Sequence, residues 1–265
     1  MNFFKTRLKL VKLKSLRKKF NLGREDERGT FLRKLEPIID DWVARLPDLR
    51  DIFSKEEIEN LLSTSGNHSN ASAGTEFILF VIRTGYKDDP EVDYDGEPFL
   101  LHCTTPLLRP EYPSHGYDIV DFHWMLFRIY DRFDVNYTDE SGYTHFHIAV
   151  KYRCCHMVMK FLEFGHDPNL RVQNTGDTPL HLALSKNDIE MAELLLRNGA
   201  DPNLSNNVGL TPLHVICMKS DYNNDLAETF FNVNKEVNWV VKVNASMGSG
   251  KFFTTRGQHA IRSWC

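Results

Sequence analysis

Three segments within residues 178–203 decide the fold: Thr178-Pro179-Leu180-His181-Leu182-Ala183, Glu190-Met191-Ala192-Glu193-Leu194-Leu195-Leu196 and Gly199-Ala200-Asp201-Pro202-Asn203. Residues 144–169 align with residues 178–203 without a gap and share their threonine, their histidine and the closing Asp-Pro-Asn. Thr211-Pro212-Leu213-His214 and the degraded Thr105-Pro106-Leu107-Leu108 begin two further copies. The four threonines lie 39, 34 and 33 residues apart, a period typical of stacked helical repeats.

Helix chemistry explains the repeated residues one by one. Thr178 suits the N-cap of a helix, and Pro179 suits its first position, where the missing N–H costs nothing. His181 lies one turn further along, within reach of a threonine hydroxyl. Gly199 suits the left-handed cap that ends a second helix. One such unit cannot bury its apolar faces alone, so the units must stack.

The repeats resemble those of the ankyrin family almost position for position, over about residues 90–236. The resemblance implies an all-α ankyrin-repeat solenoid, with a helix-turn-helix and a hairpin loop in each repeat and with an N-terminal helical extension. Leu46-Pro47-Asp48-Leu49-Arg50-Asp51-Ile52-Phe53 and Val81-Ile82-Arg83-Thr84-Gly85-Tyr86 are similar to expanded insect ankyrin families, notably those of parasitoid wasps.

Composition and repeat spacing divide the chain into four predicted segments. They are a basic amphipathic arm (1–24), an N-terminal helical region with a degenerate capping repeat (25–89), the ankyrin array (90–236) and an irregular or truncated C-terminal tail (237–265). The array holds about four repeats, which start near Thr105, Thr144, Thr178 and Thr211.

Local signals predict helices in the region before the array. Ser54 and Glu57 have the spacing of a capping box, which predicts a helix start. The polar stretch at 63–74 predicts a loop. We expect Pro37 to open a helix that has Trp42 in its middle.

Composition narrows the class of protein. The chain is 42% hydrophobic and 26% charged, as globular proteins are. Its longest apolar run, Phe77 to Ile82, is far shorter than the roughly 20 residues of a membrane-spanning helix. Five cysteines are too few for a disulfide scaffold, which favours a reducing compartment. We therefore expect a cytoplasmic monomer, with the nucleus as the alternative location.

Charge is distributed unevenly along the chain. Residues 1–24 carry nine basic side chains and no acid, so the remaining residues have a net charge of −13 although the whole chain has only −4. Apolar residues recur in this arm near helical spacing, which predicts an amphipathic helix. Its lysines are either a solvated face or a site for nucleic acid, an anionic membrane or nuclear import. The apolar residues are Phe4, Leu8, Leu10, Val11, Leu13, Leu16 and Phe20.

The sequence motifs that could indicate a metal site or a nucleotide site are incomplete. Cys154-Cys155-His156 lacks the spacing of a zinc site, which needs four converging ligands. Gly248-Ser249-Gly250-Lys251 resembles the end of a phosphate-binding loop, but Ala245 and Phe252 break the pattern at both ends. We expect no enzyme activity, catalytic residue, metal, cofactor or small-molecule substrate.

Recognition of another protein is the remaining function. The ankyrin resemblance implies a non-enzymatic scaffold or adaptor that binds its partner through hairpin tips and a concave helix face. Tyr143 and Tyr152 are the expected anchors, since aromatic residues dominate interface energies. In the alternative, the basic arm directs the protein to an anionic surface or the nucleus and the repeats only select cargo. The predicted partner-binding residues are Glu140, Ser141, Tyr143, Lys151, Tyr152, Asn174, Thr175, Asp177, Ser185, Lys186, Asn207, Val208, Leu210, Met218 and Lys219.

Overall fold

The computed structural model describes residues 2–42, 45–66, 71–89, 105–108, 119–218 and 224–243. Within these ranges the regular structure is helical, apart from an isolated β-bridge between Thr138 and Thr144, so the predicted all-α fold class is confirmed. Among the helices described, none is both long enough and apolar enough to cross a membrane. The chain divides into two compact units, residues 1–137 and residues 138–265.

The first unit is built around three helices that pack on one another. Helix α1 spans Asn2–Arg17, α2 Glu25–Ile39, α3 Lys55–Ser65, α4 Ala71–Thr84 and α5 Ile119–Phe127, with 3-10 turns at Leu49–Asp51 and Pro106–Leu108. Helices α2, α3 and α4 contact one another, and α1 packs on α2. Phe31 of α2, Leu61 of α3 and Phe77 of α4 are fully buried. Burying a side chain of this kind stabilises the fold by about 1.5–3 kcal/mol.

Helix α2 differs from the sequence prediction for Pro37 and Trp42. The helix begins at Glu25, where the consecutive acids Glu25-Asp26-Glu27 place negative charge at the positive end of the helix dipole. Pro37 lies in the last turn, and the helix ends two residues later at Ile39. Trp42 follows the helix, and its buried ring lies 5.6 Å from that of Phe80, centroid to centroid. The prediction was wrong because the acidic triplet was the stronger start signal.

The helix start predicted at Ser54 is confirmed. Ser54 Oγ accepts the N–H of Glu57 at 3.2 Å, and Glu57 Oε2 accepts the N–H of Ser54 at 3.0 Å. The loop predicted at 63–74 is wrong in part, because α3 continues through Ser65 and α4 begins at Ala71. Ser65 remains helical, with its hydroxyl donating a hydrogen bond to the carbonyl oxygen of Leu61 in the preceding turn at 2.8 Å.

Helix α1 confirms that the N-terminal arm contains a helix, but its apolar residues do not share one buried face. Leu13 is fully buried, whereas Phe4, Leu8 and Val11 are exposed. The stripe that sequence spacing grouped together is therefore divided between an inner and an outer side of the helix.

The second unit repeats a pair of helices. Helix α6 spans His145–Lys151, α7 Cys155–Glu163, α8 Pro179–Ser185, α9 Ile189–Arg197, α10 Pro212–Cys217 and α11 Asn224–Glu236. Helix α6 packs on α7 and α8, α8 packs on α9 and α10, and α9 packs on α11. Phe146, Phe161, Leu195 and Phe230 are buried between these helices. The stacking predicted from the repeat is confirmed within this unit.

A threonine–histidine pair opens α6, α8 and α10, as the motif predicted. In α6, the Thr144 N–H donates to His147 Nδ1 at 3.2 Å, and His147 Nε2 lies 2.9 Å from the carbonyl oxygen of Leu170. Because Nδ1 accepts a hydrogen bond, Nε2 carries the proton and donates it to Leu170. His181 makes the same bridge to the carbonyl oxygen of Leu210 at 2.9 Å. His147 and His181 therefore fasten their helices to the following hairpins.

The segment after α11 continues the pattern of the earlier repeats. Asn169 Oδ1 accepts the N–H of Asp201 at 2.7 Å, and Asn203 Oδ1 accepts the N–H of Lys242 at the same distance. Asn203 Nδ2 also donates to the carbonyl oxygen of Val240 at 2.9 Å. Residues 237–243 thus dock on the preceding repeat, while residues 244–265 of the predicted tail lie outside the described residues.

Candidate functional site

The predicted binding surface lies in the second unit, on the hairpins and on the ends of the first helices. The hairpins stack through their backbones: the Asn174 N–H donates to the carbonyl oxygen of Ser141 at 3.2 Å, and the Asn207 N–H donates to that of Thr175 at 2.9 Å. The hairpin tips therefore form a continuous edge in which each tip is held by the next.

Glycine permits the close approach of one hairpin to the next. Gly142 and Gly176 have φ angles of 81° and 71°, which favour glycine. A Cβ atom on Gly142 would lie 2.5 Å from the backbone nitrogen of Gln173, and one on Gly176 would lie 2.6 Å from that of Asn207. Neither position has room for a side chain.

Some of the predicted partner-binding residues stabilise the hairpins. Asp177 Oδ1 accepts a hydrogen bond from Asn206 Nδ2 at 2.7 Å, and Asn207 Nδ2 donates to the carbonyl oxygen of Asn174 at 3.1 Å. The Leu210 carbonyl is occupied by His181. These groups already have partners within the chain, which lowers what they can offer to another protein.

The remaining predicted residues differ in exposure. Ser141, Tyr143, Lys151 and Tyr152 are partly exposed, and Lys219 lies outside the described residues. The Ser185 hydroxyl donates to the carbonyl oxygen of Leu182 at 2.8 Å. The exposed members of the set are Glu140, Asn174, Thr175, Ser185, Lys186, Asn207, Val208 and Met218.

Tyr143, Lys151, Tyr152 and Lys186, here called the lysine–tyrosine cluster, form the most distinctive part of this surface. Lys151 Nζ lies 5.4 Å from the ring centroid of Tyr143 and 5.5 Å from that of Tyr152. Both distances are within the range of a cation–π interaction. The ammonium group is therefore held between two aromatic side chains that come from the hairpin and from the end of α6.

Charges around the lysine–tyrosine cluster shift its titrating groups. Burial lowers the pKa of Lys151 from its ordinary value, the charge of Lys186 lowers it further, and Asp139 opposes both effects. Burial raises the pKa of Tyr143, and the charges of Asp177 and Asp139 add to that rise. Burial likewise raises the pKa of Tyr152. The two tyrosines remain neutral hydroxyl donors at neutral pH.

Sequence reasoning missed Asp139, which positions Tyr143. Asp139 Oδ1 accepts the backbone N–H of Ser141 at 2.9 Å and that of Tyr143 at 2.8 Å. Asn206 makes the equivalent turn two hairpins further along, where its Oδ1 accepts the N–H of Leu210 at 2.9 Å. The available signal was an aspartate or asparagine five residues before Thr144 and Thr211; Gln173 breaks the pattern before Thr178.

The cysteines of Cys154-Cys155-His156 lie in different environments. Cys154 is buried, and its burial raises the pKa of the thiol to about 12, which keeps it protonated. Cys155 is partly exposed and His156 is exposed. Among the described residues, no group of three or more histidine, cysteine, aspartate or glutamate side chains could hold a metal ion.

Comparison with known proteins agrees with the repeat geometry. Residues 116–206 match the ankyrin repeat family, whose model is described as ankyrin repeats in three copies. Over 92 residues the chain is 35% identical to a putative ankyrin repeat protein of fowlpox virus. The aligned region covers 33% of this chain and 15% of the viral protein.

Two further relatives are cellular proteins. Over 80 residues the chain is 35% identical to the probable 26S proteasome regulatory subunit p28 of Saccharomyces cerevisiae, covering 30% of this chain and 35% of that protein. Over 115 residues it is 29% identical to the ARF GTPase-activating protein Git of Drosophila melanogaster, covering 43% of this chain and 15% of that protein. The matches thus span about a third or less of each relative. The similarity to families of parasitoid wasps stays a prediction.

Proposed function

Because this chain is an ankyrin-repeat protein, with the repeats matched at residues 116–206, we propose that its second unit binds an acidic segment of another protein through the lysine–tyrosine cluster. Ankyrin repeats form protein–protein interaction modules. The function is non-enzymatic: the chain recognises its partner as a scaffold or adaptor does, and needs no cofactor.

The observation that carries the proposal is the ammonium group of Lys151, which lies between two aromatic rings and near the charge of Lys186. Lys151 is partly desolvated and lies near the second positive charge of Lys186, so its charged state is poorly compensated. A carboxylate from a partner would interact favourably with both lysines, and most strongly with the partly buried Lys151. The rings of Tyr143 and Tyr152 add contact area, as aromatic anchors do in protein interfaces.

The acids nearest the lysine–tyrosine cluster do not already fill this role. Asp139 Oδ1 accepts backbone N–H groups in its own hairpin, and Asp177 Oδ1 accepts from Asn206. Met218, at the end of α10, adds an exposed apolar side chain to the proposed surface, and Val208 adds another at a hairpin tip. Glu140 and Thr175 supply exposed polar groups for a rim.

A charge-reversal pair tests the proposal. Lys151→Glu with Lys186→Glu should abolish capture of the partner from a lysate, because a partner carboxylate would then meet two like charges. The matched control is Lys235→Glu with Lys242→Glu, which changes the net charge equally at two exposed positions of the same unit. A protein captured by the parent chain and by the control, but not by the first variant, would support the proposal.

The acidic nature of the partner is tested in a second step. Changing acidic residues of the captured protein to lysine should restore binding to the Lys151→Glu, Lys186→Glu variant. Equal capture by all three forms of the chain, from samples with equal urea-unfolding midpoints, would contradict the proposed site.

We propose a cytoplasmic location for this activity, with the nucleus as the alternative, and a monomeric state. Cys154, Cys155 and Cys217 are free thiols, which agrees with a reducing compartment. Fluorescence microscopy of the tagged chain and sedimentation of the purified chain would test the two statements.

A further inference from the structure

Helix α1 is attached to the first unit along one side. Leu13 is fully buried, and α1 packs on α2. Two of its basic side chains are engaged on this side: Lys9 forms an ion pair with Asp41, and Arg17 forms one with Glu57. The helix therefore keeps a fixed orientation about its own axis.

The opposite side of α1 presents an apolar ridge. Phe4, Leu8 and Val11 are 77%, 48% and 59% exposed. Their spacing of four and three residues aligns them along one line of the helix. These residues add nothing to the core of the unit, and an exposed ridge of large apolar side chains marks an interaction surface.

Basic side chains border the apolar ridge on both sides. At about 100° per residue, Arg7 and Lys14 lie on one flank, and Lys5 and Lys12 lie on the other. All four are exposed, and α1 contains no acidic residue. Positive charge on either side of an apolar line is the arrangement of helices that lie in the interface of an anionic bilayer.

We propose that α1 docks the protein on an anionic membrane surface, with Phe4, Leu8 and Val11 inserted at the boundary of headgroups and acyl chains. Lys5, Arg7, Lys12 and Lys14 contact the lipid headgroups on either side. The helix lies in the plane of the membrane. It is already folded against α2, so binding does not require the ordering that a free amphipathic peptide undergoes.

The apolar ridge favours a membrane over the other anionic partner, nucleic acid. A nucleic acid would contact the basic side chains through phosphates, but it would leave Phe4, Leu8 and Val11 between charged groups and water. A bilayer interface offers anionic headgroups and an apolar layer at the same time. The net charge of −13 outside residues 1–24 repels an anionic surface, which favours contact through the arm.

Vesicle flotation with the full chain tests the proposal. The probe is vesicles of roughly two parts phosphatidylcholine to one part phosphatidylserine, compared with vesicles of phosphatidylcholine alone. We expect binding to the mixed vesicles, at least about tenfold weaker binding to phosphatidylcholine alone, and loss of binding as salt is raised.

Two variants separate the apolar from the charged contribution. Leu8→Ser with Val11→Ser should weaken vesicle binding by at least about tenfold, because it removes inserted apolar groups. Arg7→Gln with Lys12→Gln and Lys14→Gln should weaken it by a similar factor or more. The control, Met159→Ser with Phe164→Ser, changes two exposed apolar residues of the second unit and should bind like the parent.

Several results would overturn the proposal. They are equal binding to both kinds of vesicle, unchanged binding of the Leu8→Ser, Val11→Ser variant, and failure of the parent chain to bind mixed vesicles. Tight binding to duplex DNA by both the parent and that variant, without vesicle binding, would assign the arm to nucleic acid instead. None of these outcomes bears on the lysine–tyrosine cluster, so the two proposals fail independently.

Discussion

Single residues hold the second unit together at defined points. Thr144 and His147 form a hydrogen bond that caps the start of α6. The same histidine also bonds to the carbonyl oxygen of Leu170 in the following hairpin. The hairpin glycines allow the backbones of consecutive tips to touch. These contacts have separate physical origins, so substitutions can test each of them alone.

Protonation of His147 should destabilise the fold. Burial lowers its pKa from 6.5 to about 4, so between these values the unfolded chain binds a proton that the folded chain excludes. The free energy of unfolding should therefore fall as pH decreases through this window and be unaffected by this group above it. In His147→Gln, the decrease in unfolding free energy measured with urea should be smaller by about 3 kcal/mol.

Exposed His156 provides the control for this pH dependence. His156→Gln should leave the decrease in unfolding free energy unchanged. Parallel pH profiles for the parent and His147→Gln would show that the buried histidine does not titrate as its environment requires.

Gly176→Ala should destabilise the second unit more than Gly165→Ala. Both glycines have positive φ angles, 71° and 86°, so alanine costs about 1 kcal/mol of backbone strain at either site. A Cβ atom at Gly176 would also lie 2.6 Å from the backbone nitrogen of Asn207, whereas at Gly165 it would have no atom within 4 Å. Urea unfolding should show a further loss of about 1–3 kcal/mol for Gly176→Ala. Equal losses would mean that the hairpin tips separate without cost.

The motif residues were predictable because each has a local chemical reason. Thr178 and Pro179 occupy the helix-start positions that their side chains favour, and Gly199 has the positive φ angle that favours glycine. The lysine–tyrosine cluster was only partly predictable: sequence marked Tyr143 and Tyr152 as anchors, but not that Lys151 lies between their rings. That geometry depends on the hairpin turn at Asp139, which a helix motif does not encode.

At the scale of elements, prediction succeeded where a signal recurs. Repeats align with one another, so the helices α6 to α9 follow from their copies. The first unit has no such internal comparison. Composition therefore overestimated the loop between α3 and α4, since Thr64 and Ser65 bond back to the preceding helical turn and remain helical.

The turn after α11 should depend on Asn203. Its amide joins the carbonyl oxygen of Val240 and the N–H of Lys242 to the preceding repeat. Asn203→Ala should cost about 1–2 kcal/mol of unfolding free energy and remove hydrogen-exchange protection at the Lys242 amide. Asn232→Ala, at an exposed position of α11, is the control and should preserve that protection. Protection that survives in Asn203→Ala would show that residues 240–242 are held by other contacts.

At the scale of the whole molecule, the two units carry different surfaces. The first has an apolar ridge with basic flanks on α1. The second has Lys151 between the rings of Tyr143 and Tyr152, with the charge of Lys186 nearby. Sequence indicated the positive charge of the arm but could not show which side of α1 is buried, because leucines and lysines occur all around that helix. The packing of α1 on α2 determines which of its faces is buried and which is exposed.

Site-specific photo-crosslinking tests the central claim, that the lysine–tyrosine cluster is the binding surface. A photoreactive phenylalanine analogue would replace Tyr152 in one sample and Phe164 in another; Phe164 is 61% exposed at the end of α7. We predict crosslinks from position 152 to one protein, within a segment rich in aspartate or glutamate. Crosslinks to that protein from position 164 but not from position 152 would contradict the account.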